Sequence, residues 1–175
     1  MRIKHNINQY RQTKIIDYFS KMSSSTQKVN NINVEFNTHE KKNNNIYLLR
    51  FDGASKGNPG KAGAGAVIYL NNKEIWNTSK YIGNNFTCNY AEYYALVIGL
   101  EEASKRNIND LYVEGDSQLV INQLKGKFRV KSQNLIDLYA RAKLLSNSFE
   151  IITFTHIYRT HNQRADELAN LLINK

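Results

Sequence analysis

Regular spacing of hydrophobic residues begins at residue 46 and continues to the end of the chain. Three β-prone runs come first, separated by a glycine-rich turn and by an Asn-Asn pair that favours a hairpin. Helical spacing then alternates with two further β-prone runs. The predicted elements are strands over 46–53, 62–70 and 73–82, a helix over 89–106, a strand over 110–115, a helix from Ser117, a helix over 133–146, a strand over 150–157 and a helix over 162–173.

This order, βββαβααβα, predicts a single α/β domain over residues 46–175. A meander followed by helices that cross over between strands implies a mixed sheet with helices packed on it. A domain of this size buries about two-thirds of the surface that its unfolded chain exposes. We therefore expect it to hold its own hydrophobic core.

The first 45 residues differ from the rest in composition. Residues 22–45 are rich in Ser, Asn and Lys, and their isolated apolar residues predict a disordered linker behind a basic tail over 1–21. Eight Lys/Arg against three Asp/Glu give residues 1–45 a net charge of +5, and 16 against 12 give the remainder +4. A basic chain suits a polyanionic partner, with solubility as the alternative explanation.

Cysteine usage and hydropathy exclude several classes of protein. Cys88 is the only cysteine, which rules out an intramolecular disulfide and a cysteine-based zinc framework. No apolar run approaches the roughly 20 residues that a membrane span needs, and the N-terminus lacks the apolar core of a secretory signal. We expect an intracellular, soluble monomer with no membrane partner.

Four acidic residues occupy positions from which their side chains can converge at one edge of the sheet. Asp52 and Asp116 each end an apolar strand. Glu92 lies in the first turn of its predicted helix, and Asp166 lies one turn into the last helix. Each position has a structural explanation of its own, such as a strand end or a charge that favours a helix N-terminus. Their joint occurrence in this order of elements is harder to explain by structure alone.

The chemistry of such a cluster points to a metal ion. Like charges held together are unfavourable unless a cation neutralises them or a proton is retained. Oxygen ligands without His or Cys companions suit Mg²⁺ or Mn²⁺ better than zinc. The cluster therefore predicts metal-assisted hydrolysis of a phosphodiester.

The segments DGASKGNPG, TCNYAEYYAL, GDSQLVINQL and HNQRADELAN resemble, in this order, the motifs of type 1 ribonuclease H, in its compact archaeal and plant-like branch. The resemblance covers residues 46–175. It implies the ribonuclease H fold with a five-stranded mixed sheet, and cleavage of the RNA strand of RNA–DNA hybrids to 3′-hydroxyl and 5′-phosphate ends. By motif position, the ligands of two Mg²⁺ ions, with Mn²⁺ as the alternative, are Asp52, Glu92, Asp116 and Asp166.

The resemblance also implies how RNA is distinguished from DNA. In this family, main-chain groups of the glycine-rich turn and polar residues beside the catalytic Glu contact successive 2′-hydroxyls, which only RNA carries. These contacts map onto Gly53, Ala54, Ser55, Asn58, Asn89 and Gln118. Thr87 and Asn58 fall where the family holds a DNA phosphate. Asn58 equally fits an ordinary turn residue before Pro59.

Two departures from the family pattern concern substrate binding. Cys88 stands where the family commonly has an Asn, which weakens one expected minor-groove contact. The short basic run over 125–131 leaves no room for the basic helical protrusion of bacterial and vertebrate members. Hybrid binding must then rely on scattered cations, which include Lys125, Lys127, Arg129 and Lys131.

A third departure concerns the loop before the last Asp. Many members have a mobile His there that assists metal exchange and product release. Here His161 lies five residues before Asp166, on a shortened loop. The catalytic assistance falls either to His161 or to Arg159, and a residue that merely flanks the helix is the alternative for His161.

Residues 12–19, QTKIIDYF, resemble a sliding-clamp binding motif of the PCNA-interacting type. Such a peptide forms a short helical turn that places Ile15, Tyr18 and Phe19 in one apolar pocket and Gln12 in a separate polar pocket. An amphipathic helix that docks on the domain itself is the alternative. Tethering to a clamp would raise the local concentration of enzyme at hybrids.

Together these features predict an endonuclease that removes RNA primers and R-loops at sites of DNA replication. Two alternatives come from other classes. One is a hybrid-binding, clamp-recruited module with little catalysis, against which the presence of all four carboxylates argues. The other is a nuclease of the same fold that acts on DNA junctions or on double-stranded RNA.

Overall fold

The structure is a computed structural model that describes residues 45–174. The predicted basic tail over 1–21, with the candidate clamp motif at Gln12, Ile15, Tyr18 and Phe19, lies outside the described residues. The predicted linker over 22–45 also lies outside them, apart from its last residue. These assignments remain predictions.

Within the described part of the chain, strands and helices follow one another in the predicted order. They are β1 Tyr47–Gly57, β2 Gly60–Leu70, β3 Lys73–Phe86, α1 Cys88–Lys105, β4 Asp110–Gly115, α2 Gln118–Leu124, α3 Gln133–Ser146, β5 Ile151–His156 and α4 Gln163–Asn170, with a 3-10 turn at Arg159–His161 before α4. No helix among residues 45–174 is long and apolar enough to cross a membrane.

The strands form one five-stranded mixed sheet in the order β3-β2-β1-β4-β5. The β1–β2 and β2–β3 pairs are antiparallel, whereas β1–β4 and β4–β5 are parallel. Phe51 lies opposite Gly115 in the parallel β1–β4 pair. The residues that follow them, Asp52 and Asp116, therefore lie side by side where the β1–β4 pairing ends, as expected for neighbouring parallel strands, although β1 continues beside β2. The predicted fold class is confirmed.

The hydrophobic core lies between one face of the sheet and α1, with α3 packed on α1 and α2 adding further buried side chains. Leu49 and Phe51 of β1 are fully buried, as are Leu96 and Leu100 of α1. Burial of each such side chain contributes about 1.5–3 kcal/mol to folding. This layer fixes α1 against the central strand, and thereby fixes the acidic residues that both elements carry.

Helix α4 packs on the other face of the sheet, against β1 and β2, at backbone distance. A Cβ atom added at Gly63 would lie 2.2 Å from the carbonyl oxygen of Ala169, and one at Gly65 would lie 2.3 Å from that of Ala165. Side chains at these two positions would push the helix away from β2. The glycines therefore set the distance between α4 and the sheet.

The predicted bounds of several elements were wrong. β1 continues past residue 53 to Gly57, and β3 continues past residue 82 to Phe86, because the exposed glycine-rich segment pairs with β2 across the hairpin at Asn58 and Pro59. Helix α4 begins one residue later and ends three residues earlier than predicted. Hydrophobic spacing marks only the buried part of an element, whereas backbone pairing extends strands into exposed sequence.

Candidate metal centre and active site

Three carboxylates converge where the parallel pairing between β1 and β4 ends. Asp52, Glu92 and Asp116 each place one oxygen so that the three atoms lie within 4.8 Å of one another. We call these three residues the acidic centre. Asp52 is 5% exposed and Glu92 is 8% exposed. Among the described residues, none of the three forms an ion pair with a Lys, an Arg or a His.

A glycine permits this convergence. A Cβ atom at Gly53 would lie 2.0 Å from the backbone nitrogen of Glu92. Only a residue without a side chain allows α1 to approach the end of β1 so closely. Thr87 caps α1, because its hydroxyl accepts a hydrogen bond from the backbone nitrogen of Tyr90 at 3.2 Å. The start of α1 is thus fixed beside Asp52, and Glu92 enters the acidic centre one turn later.

Burial and mutual repulsion favour protonation of the acidic centre. Burial, together with the charges of Asp116 and Asp166, raises the pKa of Asp52 to about 7. Burial also raises the pKa of Glu92 well above its usual value, with Asp52 as the next cause. The Oε2 atom of Glu92 is buried and has no hydrogen-bond partner among the described residues. Clustered carboxylates with an unpartnered oxygen fit a divalent cation with oxygen ligands.

Asp166, the fourth predicted ligand, stands apart from the acidic centre. It lies in the first turn of α4, where the guanidinium of Arg159 donates a hydrogen bond to its Oδ1. This interaction raises the pKa of Arg159. The charge of Asp166 still raises the pKa of Asp52, so the two carboxylates interact electrostatically. In this state Arg159 is the counter-ion of Asp166.

The two candidates for catalytic assistance therefore differ in position. Arg159 contacts Asp166 directly, whereas His161 lines a cavity together with Arg50, Glu114 and residues of α4 and of the loop before it. The structure brings Arg159, and not His161, to a predicted metal ligand. The shortened loop explains the difference, because the 3-10 turn directs successive side chains to different sides.

Asn162 is part of the site and was missed in the sequence. It is fully buried, and its Nδ2 donates to the Phe51 carbonyl oxygen at 2.9 Å and to Asp116 Oδ1 at 2.8 Å. In the sequence it reads as an ordinary helix cap, although its side chain makes no capping bond. A polar residue directly before an amphipathic helix gives no signal that distinguishes these two roles.

Comparison with known proteins identifies the family. A family model described as reverse transcriptase-like matches residues 50–172. The crystal structure of RNase H1 from Halobacterium salinarum superimposes with a TM-score of 0.70 at 38% identity, over 74% of this chain and 98% of that one. The chain belongs to the ribonuclease H family. The resemblance inferred from the four motifs is thereby confirmed.

Other similar proteins support the assignment to this family. A bifunctional protein of Mycobacterium tuberculosis is 38% identical over 124 residues, which cover 70% of this chain and 34% of that protein. The chain thus spans about a third of its length, and 60% of the Halobacterium salinarum ribonuclease HI, to which it is 40% identical over 120 residues. The structure of LC11-RNase H1 in complex with an RNA/DNA hybrid matches with a TM-score of 0.66 and 33% identity, over 71% of this chain and 94% of that one.

The substrate-binding positions predicted from the ribonuclease H motifs lie on the elements that surround the acidic centre. Asn89 and Gln118 are exposed in the first turns of α1 and α2. Asn58, in the β1–β2 hairpin, accepts a hydrogen bond from the backbone nitrogen of Cys88 at 3.1 Å, which ties the hairpin to the start of α1. The hydroxyl of Ser55 donates to the Phe86 carbonyl oxygen at 2.8 Å. Their contacts with nucleic acid remain predictions.

Proposed function

We propose that this protein is a metal-dependent endonuclease that hydrolyses the RNA strand of RNA–DNA hybrids. The observation that carries the proposal is the acidic centre: three carboxylates without a cationic partner among the described residues, two of them buried, in a ribonuclease H fold. The hybrid-bound structure of LC11-RNase H1 supports the choice of substrate. The net charge of +9 suits a polyanionic partner.

The proposed metal ligands are Asp52, Glu92 and Asp116, joined by Asp166. Two Mg²⁺ ions, with Mn²⁺ as the alternative, would supply a Lewis acid for the attacking water and a stabilising charge at the leaving 3′ oxygen. The residues of the chain hold the ligand oxygens together and shield them from bulk water. No side chain needs to act as a nucleophile, and the products are 3′-hydroxyl and 5′-phosphate ends.

Selection of RNA depends on the polar groups around the acidic centre. The glycine-rich hairpin, Asn89 and Gln118 present exposed donors and acceptors from three elements around one edge of the sheet. Such groups can contact 2′-hydroxyls, which act both as donors and as acceptors. Thr87 and Asn58 lie together at the start of α1, where a phosphate of the DNA strand would bind.

Cleavage of a labelled RNA–DNA hybrid in Mg²⁺ tests the proposal, with Asp116→Asn as the inactive control. We expect cleavage of the RNA strand only, no cleavage of matched double-stranded DNA or double-stranded RNA, and loss of activity in the variant. Cleavage of double-stranded RNA would favour another nuclease of this fold. Tight hybrid binding without cleavage would instead identify a binding module.

We further propose that residues 12–19 recruit the enzyme to a PCNA-type sliding clamp inside the cell, at sites of DNA replication. The support is the sequence pattern of Gln12, Ile15, Tyr18 and Phe19 in a basic tail. A clamp pull-down with the full chain and with a Tyr18→Ala/Phe19→Ala variant tests this idea. We expect the clamp to be recovered with the wild type alone, and equal recovery with both proteins would contradict recruitment.

A further inference from the structure

The Asn162 side chain connects three elements that carry predicted metal ligands. It lies at the start of α4, four residues before Asp166, whose backbone nitrogen donates to the Asn162 carbonyl oxygen at 3.1 Å. Its Nδ2 reaches the Phe51 carbonyl oxygen, directly before Asp52 in β1, and the carboxylate of Asp116 after β4. One carboxamide thus ties β1, β4 and α4 together at the acidic centre.

Only a side chain with two donors on one atom can make this connection. Both partners, a carbonyl oxygen and a carboxylate oxygen, accept hydrogen bonds, and a side-chain amide nitrogen carries two hydrogens. The opposite orientation of the amide would place Asn162 Oδ1 against two acceptors, so the partners determine which way the group points. The observed orientation leaves Oδ1 buried without a partner among the described residues, which has a free-energy cost.

The acceptors chosen by Asn162 indicate a function beyond packing. A residue that only began the helix would use its side-chain oxygen to accept from the first turn of α4. Asn162 makes no such bond, and both of its donated bonds go to the place where the β1–β4 pairing ends. The donation to Asp116 Oδ1 restricts the rotation of a carboxylate that belongs to the acidic centre.

We propose that Asn162 is a positioning residue that holds Asp116, and with it the acidic centre, in the arrangement that binds the metal ions. The inference rests on the proposed metal-dependent function. Hydrogen bonds that orient metal ligands typically contribute 10- to 100-fold to metal affinity. Loss of Asn162 should therefore weaken metal binding before it affects contacts with the hybrid.

The test compares Asn162→Ala with Asn109→Ala in the full-length protein. Asn109 is a matched control, because its Nδ2 also donates to a carboxylate oxygen, Glu150 Oε1 at 3.1 Å, but at the opposite, exposed end of β4. Mg²⁺ is titrated into the substrate-free protein, and the midpoint of thermal unfolding reports the apparent affinity. Hybrid cleavage is then measured against both Mg²⁺ and hybrid concentration.

For Asn162→Ala we expect the half-saturating Mg²⁺ concentration to rise at least about tenfold in both assays. We expect KM for the hybrid to stay within about twofold of the wild-type value at saturating Mg²⁺. Asn109→Ala should leave the half-saturating Mg²⁺ concentration unchanged. A folded Asn162→Ala protein with wild-type Mg²⁺ dependence would overturn the proposal, because a purely structural residue would lower the unfolding midpoint alone.

The test also has a defined result if a variant does not fold or if the wild type does not cleave the hybrid. If Asn162→Ala does not fold, Asn162→Ser, which keeps a polar group too short to bridge both acceptors, takes its place with the same expected shift. If neither variant folds, Asn162 is structural and the proposal is wrong. If the wild type cleaves no hybrid, the substrate-free Mg²⁺ titration still decides the role of Asn162, so failure of the proposed function is a separate result.

Discussion

Two groups of acidic residues in this domain have opposite electrostatic environments. In the first group, Glu74 of β3 accepts hydrogen bonds from Arg164 of α4 at 3.1 and 3.3 Å, and this pairing is the main cause of its lowered pKa. In the acidic centre, burial instead raises the pKa of Asp52 and Glu92. The same functional group is thus held ionised by a neighbour on one element and pushed towards protonation on another.

This contrast distinguishes a carboxylate that stabilises the fold through an ion pair from carboxylates whose arrangement suits a bound cation. A partly exposed ion pair such as Glu74–Arg164 contributes up to about 1 kcal/mol and links α4 to β3. Buried carboxylates without a cation lower stability, and a fold retains them where a ligand compensates. Asp166 lies between the two cases, because its present counter-ion, Arg159, is 74% exposed in its side chain and can move away.

The largest expected effect comes from neutralising one acid of the acidic centre. Asp52→Asn should lower kcat for hybrid cleavage by about 1,000-fold, because in the proposed mechanism several kcal/mol of transition-state stabilisation would depend on bound metal ions. The same change should leave the metal-free protein as stable as the wild type or more stable, because a buried charge is removed. Asp110→Asn, at the exposed start of β4, is the matched control and should alter neither quantity. A marked fall in stability would contradict the contrast between the two groups.

The second test uses pH. The pKa of Asp52 is 3.8 in the unfolded chain, and in the folded protein it is raised to about 7, mainly because of burial. Between these values the folded state binds more protons than the unfolded state, so stability falls as pH rises and the loss is complete above the folded pKa. The difference in unfolding free energy between the wild type and Asp52→Asn, measured with a chelator, should change by on the order of a few kcal/mol over this range. Parallel curves would contradict the raised pKa.

Mg²⁺ should oppose this fall in stability with rising pH. A cation that binds the ionised centre competes with protons. The rise in unfolding midpoint on addition of Mg²⁺ should therefore be larger at about pH 8 than at about pH 5. Asp52→Asn should show a smaller rise at both values.

A smaller effect is expected for Arg159, the counter-ion of Asp166. Arg159→Ala should lower kcat about tenfold, because the counter-ion of Asp166 is lost while the acidic centre remains intact. His161→Ala should stay within about twofold, because His161 lines a cavity with Arg50 and Glu114 and does not contact Asp166. Single-turnover and steady-state rates separate chemistry from product release. A larger loss for His161→Ala would return the assisting role to that residue.

The smallest effect is expected for Glu74, the carboxylate that is paired with Arg164. Glu74→Gln should lower the free energy of unfolding by about 1 kcal/mol or less and leave kcat within about twofold. Glu167→Gln is the control, because Glu167 is 66% exposed and meets Arg164 only at 3.4 Å. Chemical denaturation measures both changes. Loss of activity in Glu74→Gln without loss of stability would show that the two groups are not independent.

The sequence predicted those parts of the site that depend on local patterns. The ends of two apolar runs located Asp52 and Asp116, and the parallel pairing of β1 and β4 brings these residues together. Pattern alone could not show that Asn162 reaches the Phe51 carbonyl oxygen, 111 residues away in the chain. It also could not show that Asp166 is paired with Arg159, since this pair depends on the 3-10 turn between them. Contacts made by side chains across distant elements follow from packing, which the spacing of hydrophobic residues does not encode.

The glycines that set the distances between elements have a genetic consequence. Gly53 admits α1 to β1, and Gly63 and Gly65 admit α4 to β2, so any larger residue there displaces a helix that carries a predicted metal ligand. In a saturation screen for loss of function, alleles at these glycines would be as intolerant as alleles at the carboxylates, although a glycine has no side chain to take part in the reaction. Only the abundance of each mutant protein in the cell would separate alleles that lose the scaffold from alleles that lose the reaction.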